Sequence, residues 1–87
     1  MQYLVIVEKA ANNYSAFSPD VPGCAVTGKT IEKTLQLMKQ ALEFHLEALD
    51  NIPQPKGLSY HINSGEWEFE KGSLIAQVDI APTRKAA

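Results

Sequence analysis

The sequence predicts an α+β domain: an antiparallel meander of three short strands, one long helix over about 31–49, and one or two further strands. Three observations predict it. Residues 3–8 are a compact run of Tyr, Leu, Val and Ile, the composition of a buried strand. From Ile31 the apolar residues recur every three or four positions, which is the period of a helix face. From Glu66 apolar and polar residues alternate, which is the period of a strand. The 87 residues fit one domain, and 45% hydrophobic with 21% charged residues is the balance of an ordinary globule.

The first strand runs into Ala11-Asn12-Asn13, where Asn tolerates the left-handed conformation of a turn. Residues 14–18 then return as a second strand. Tyr14 and Phe17 cannot face the same side of a regular strand, so a bulge or an early strand end is expected there. Pro19 and Pro22 remove ladder donors and Gly23 permits a bend, so 19–23 is a loop. Residues 24–27 form a third strand, ended by Gly28. Thr30 is a good N-cap for the helix. Ile31, Leu35, Met38, Leu42, His45 and Leu49 make one apolar stripe, and Leu37, Ala41, Phe44 and Ala48 make a second beside it. A wide core face is the favoured reading of the second stripe, with a subunit contact as the alternative. The helix ends at Asp50-Asn51, ahead of Pro53.

Residues 52–57 make a stiff connector, and 58–67 carry no clear period. Glu66 to Glu70 alternate around Trp67 and Phe69, Lys71-Gly72-Ser73 can turn the chain, and 74–80 is the clearest late strand. Residues 1–82 are expected to form a single domain, with 83–87 as a short basic tail. One helix cannot cover both faces of a sheet, so the far face should be polar or covered by another subunit.

Little in the sequence carries chemistry. A formal net charge of −2 argues against a general nucleic-acid binder. The lone Cys24 cannot form an internal disulfide, which points to a reducing compartment, and a cytoplasmic location is expected. No apolar run approaches the roughly 20 residues that span a bilayer, and the first residues lack a basic leader and cleavage site. There is no phosphate-cradling glycine loop, zinc-type cysteine pair or nucleophile elbow, so no catalytic residue, metal or cofactor is expected. His45 and His61 belong to different elements, and His45 is read as structural because no second ligand lies one turn away. Glu43 and Glu47 are read as solvated, and Cys24 as a small core thiol. Trp67 and Phe69 could stack bases, but Glu66, Glu68 and Glu70 would repel phosphate. The candidate protein contacts are therefore Leu37 and Phe44 on the helix, for their excess apolar surface, and Glu66, Trp67, Glu68 and Phe69, for their acidic alternation.

The segment from Tyr14 to Thr30 resembles the signature of HicB-like antitoxin domains. The matching features are an aromatic strand, the loop Pro19-Asp20-Val21-Pro22-Gly23-Cys24, a short strand, and Gly28-Lys29-Thr30 opening the helix. The helix and Ile52-Pro53-Gln54-Pro55 follow the same pattern, so the resemblance covers about the first two thirds of the chain. It implies a partial ribonuclease-H-like fold, with a further strand at the sheet edge and no enzyme activity. It implies neutralisation of a small basic HicA-type toxin that cleaves messenger RNA, by covering the toxin's active site. It also implies self-association as a homodimer or homotetramer. Complete members carry a C-terminal DNA-binding segment. Here only Thr83 to Ala87 follow the last strand and its proline, so direct DNA binding and autoregulation are not expected, and the chain looks like the shorter, stand-alone members. Two other functions compete: a stand-alone oligomeric binding module with no toxin partner, and, ranked last, a small nuclease, for which no convincing acidic cluster is seen.

Overall fold

The computed structural model describes residues 1–65 and 72–80. Four strands and two helices follow in the order β1 (Gln2–Lys9), β2 (Tyr14–Phe17), β3 (Ala25–Gly28), α1 (Ile31–Glu47), α2 (Leu58–Ser64) and β4 (Leu74–Asp79). The strands form one antiparallel sheet in the order β3-β2-β1-β4. The meander and the late strand are as the sequence predicts, and the late strand lies against β1. Ala10 N–H donates to Asn13 O at 2.8 Å and closes the first hairpin.

Alternation of side chains across the sheet sets the core. Tyr3, Val5 and Val7 of β1, Ala16 of β2 and Val78 of β4 face α1, and pack with Met38, Leu42 and Leu46 of that helix. Val21, Cys24 and Ile80 complete the cluster. Each large apolar side chain taken from water there contributes roughly 1.5–3 kcal/mol. Tyr14 packs against this cluster while Phe17 is paired with Ile6 on the opposite face, so β2 needs no bulge to hold both aromatics.

Helix α1 begins where Thr30 Oγ1 accepts from Lys33 N–H at 3.0 Å. Its fully buried line is Thr34, Met38, Leu42 and Leu46. That corrects the expected stripe: His45 and Ile31 are only half-buried, and Thr34 and Leu46 take the central positions. The rotation has a local cause. Gly28 ends β3 against the helix, and a Cβ on Gly28 would lie 2.5 Å from Thr34 Oγ1. The close approach fixes Thr34 inward, and its hydroxyl donates to Thr30 O at 2.6 Å.

Two further expectations change. Residues 58–64 form the short helix α2, closed by Gly65 in the left-handed conformation at φ 73°. The far face of the sheet is not polar at its centre, since Leu4 and Ile6 are 1% and 2% exposed within the single chain. A second subunit is therefore not required to cover them.

Candidate functional site

Strand β2 stops at Phe17, opposite Ile6, because Pro19 cannot extend the ladder. Leu4 N–H, two residues back along β1, has passed the end of that partner. The Asp20 carboxylate takes its place, with Oδ2 accepting from Leu4 N–H at 3.2 Å. The loop turns to put it there: Val21 N–H donates to Ser18 O at 3.2 Å and Cys24 N–H to Val21 O at 3.3 Å. The other oxygen, Oδ1, accepts from Lys56 N–H at 3.0 Å and from His61 Nε2 at 2.7 Å. One carboxylate thus joins β1, the signature loop, the connector and α2. Its side chain is fully enclosed and that of His61 nearly so. Hydrogen bonds to a charged group contribute roughly 1.5–3 kcal/mol each, enough to offset the several kcal/mol of removing the charge from water.

His61 is the one buried residue of α2. Its Nδ1 is enclosed and has no hydrogen-bond partner among the described residues. Tyr60 meets the ring edge-on at 5.2 Å, and the Lys56 ammonium lies 4.9 Å from the centre of the Tyr60 ring. Pro19, Pro22, Lys56, Tyr60 and His61 surround a pocket of about 220 Å³ floored by Asp20. That is below the roughly 300 Å³ at which small-molecule sites begin. The Asp20–His61 pair is a structural clasp whose reactive atoms face each other.

Neighbouring chemistry is similarly subdued. Burial pushes the Cys24 thiol above its usual range, away from the thiolate needed of a nucleophile. Burial, and secondarily the Asp20 charge, raise the Tyr3 hydroxyl, which donates to Pro53 O at 2.7 Å. Among the described residues, no group of three or more His, Cys, Asp or Glu side chains could hold a metal ion.

The candidate contacts from the sequence divide. Phe44 is 78% exposed on α1, which corrects the expectation that it belongs to a wide core face. Leu37, two turns earlier on the same line, is half-buried. Glu66, Trp67, Glu68 and Phe69 lie outside the described residues. Asp20 and His61 were not among the candidates. They are 41 residues apart, and the signal that could have found the carboxylate is an acidic residue between two prolines directly after a strand.

Fold and site together define a small α+β domain held by a carboxylate clasp, with an aromatic helix face turned outward. The chain belongs to the family described as HicB_like antitoxin of bacterial toxin-antitoxin system, which matches residues 3–87. It is similar to an uncharacterised 14.9 kDa protein of Haemophilus phage HP1, with 30% identity over 84 residues, and spans 92% of this chain but only 61% of the phage protein. Among solved structures it resembles the N-terminal domain of Burkholderia pseudomallei antitoxin HicB, with TM-score 0.74 and 23% identity, covering 93% of this chain and 99% of that one. It also resembles a chain of the HicA3 and HicB3 toxin-antitoxin complex, with TM-score 0.73 and 26% identity, covering 94% and 100%.

Proposed function

We propose that this protein is an antitoxin that acts by binding: it holds a small basic HicA-type toxin and covers the active site with which that toxin cleaves messenger RNA. The observation that carries the reading is the family match across almost the whole chain, together with likeness to a chain from a toxin–antitoxin complex. The absence of chemistry of its own is part of the proposal. It is supported by the enclosure of Asp20 and His61 and by the raised Cys24 thiol. The reading places the protein in the cytoplasm, with messenger RNA and the toxin. It is compatible with the described residues, where no helix is long and apolar enough to cross a membrane.

The test is co-expression. A small basic reading frame beside the gene should arrest growth when expressed alone, and this chain should restore growth and co-purify with its product. Growth arrest that this chain does not relieve, or the absence of any such frame, would remove the toxin role.

A specific observation favours a second reading, a self-associating binding module. Leu74 and Ile75 are 41% and 39% exposed on β4. A groove of about 440 Å³ between α1 and the same strand is lined in part by Leu35 and Val78. Sedimentation of the pure protein distinguishes this reading, which requires a stable dimer or tetramer without toxin.

A further inference from the structure

Strand β4 ends the sheet, and among the described residues its outer edge pairs with nothing. One pair tells which backbone groups lie on that edge. Ile80 N–H donates to Met1 O at 2.7 Å and the Met1 ammonium donates to Ile80 O at 3.0 Å, so the backbone groups of residue 80 point toward β1. Such groups alternate between the two edges of a strand. Those of Val78, Ala76 and Leu74 therefore also point to β1, and the N–H and C=O of Ile75, Gln77 and Asp79 point outward. The register with β1 is unbroken from Gln2 opposite Asp79 to Val7 opposite Leu74, so no bulge turns this edge away. Residues 74–78 carry no charge and no proline, the devices that keep an edge solitary. The sheet's other edge is short: β3 has four residues and ends at Gly28, against Thr34 of α1.

Resting on the self-associating reading above, we propose that β4 is the contact between two copies of this chain, paired antiparallel about a two-fold axis at Ala76. Two four-stranded sheets then become one continuous sheet. The position of the axis follows from what faces what, since a ladder forms only where outward-pointing groups lie opposite one another. With Ala76 opposite its own copy, Leu74 meets Val78. Both lie on α1's side of the sheet, because their partners in β1 are the core residues Val7 and Tyr3. Ile75 meets Gln77 on the far side. The exposed Leu74 and Ile75 are thereby covered, and Leu74 of the second copy closes on the groove at Val78. A slip of two residues, to an axis at Gln77, would set Ile75 against the Asp79 carboxylate. Charge also admits a second copy. Each Asp79 lies 3.4 Å from the ammonium of its own Met1. The two Asp79 residues stand roughly 20 Å apart along the paired strands, more than a Debye length at physiological salt. A basic partner would find no carboxylate along 74–78.

The test uses the full chain. Sedimentation equilibrium of the wild type should show a dimer or a multiple of one. Gln77→Pro removes an outward N–H that β1 does not use, so the fold should survive, which far-UV circular dichroism checks. The two-fold axis counts that lost bond twice, so the dissociation constant should rise about tenfold or more. Ala76→Cys tests the register. Antiparallel residues directly opposite, outside the hydrogen-bonded pairs, have Cα atoms about 4.5 Å apart, within the span of a disulfide. This variant should give a covalent dimer under mild oxidation, and the wild type, whose Cys24 is buried, should not. If the wild type self-associates, folded Gln77→Pro does so as tightly and Ala76→Cys does not cross-link, the β4 edge is wrong while the self-associating reading stands. If Gln77→Pro keeps the oligomer and abolishes capture of a HicA-type toxin, the edge belongs to the toxin and the proposal is overturned. Should Gln77→Pro fail to fold, the Ala76→Cys cross-link decides alone. A wild type that sediments as a monomer removes both readings together.

Discussion

Asp20 accepts from Leu4, Lys56 and His61 at once, so its three donors should respond unequally to substitution. Asp20→Ala strands all three inside the protein and should cost on the order of 3–5 kcal/mol. His61→Ala leaves the carboxylate with two amide donors and should cost roughly 1–3 kcal/mol. Urea unfolding measures both, and equal losses or the reverse order would remove Asp20 from the centre of the clasp. Tyr3 gives a second prediction. Its hydroxyl titrates higher in the folded chain than in the unfolded one, where the value is near 10. Above that pH the folded state therefore holds more protons than the unfolded state, and stability falls as pH rises. Melting between about pH 8 and about pH 11 should show this loss, and Tyr3→Phe should flatten it. Neither residue's role could be read from the chain alone. A carboxylate between two prolines looks like ordinary turn chemistry until β1 is laid beside it, and Tyr3 looks like any strand aromatic.

At the scale of the element, α1 was legible in its start and its period, and misread in its rotation. Thr30 caps it as its sequence predicts. The buried line runs through Thr34, a residue that hydropathy counts as polar, because Gly28 leaves room for its hydroxyl to turn back on Thr30 O. Gly28→Ala should therefore cost about 1–3 kcal/mol by overpacking. Removing the obstructing hydroxyl with Thr34→Ala should recover part of that loss, so the double variant should be less destabilised than the sum of the two singles. Strict additivity in thermal unfolding would show that the contact is not the cause. Helix α2 was not legible. Its seven residues are too few for a helical period to show, and the one residue that α2 buries is His61. What holds α2 is a partner 41 residues away, which no local period can report.

At the scale of the whole molecule, the sheet order puts the most enclosed strand, β1, between a neighbour close in sequence and one far away. Tyr3 pairs with Val78, and Ile80 N–H donates to Met1 O at 2.7 Å. The meander was legible because hairpins are local. Family resemblance implies a further strand at the sheet edge, but that it joins β1 is seen only in the structure, since strand periodicity does not say which edge a late strand joins. A chain ending at Ser73 keeps β2, β3 and α1 yet lacks β4, so it should be cleaved rapidly by a protease that spares the full chain. Resistance of that shortened chain would show that the meander and helix are sufficient.

The same pairing bears on synthesis. Of the described strands, the first made is the last to have both its edges satisfied, because its second partner is the last of them made. During translation the apolar row from Tyr3 to Val7 must wait with one ladder open. Contacts of such long sequence separation form slowly. The domain therefore keeps an open ladder on β1 until β4 has been made, and pairing with that strand closes it.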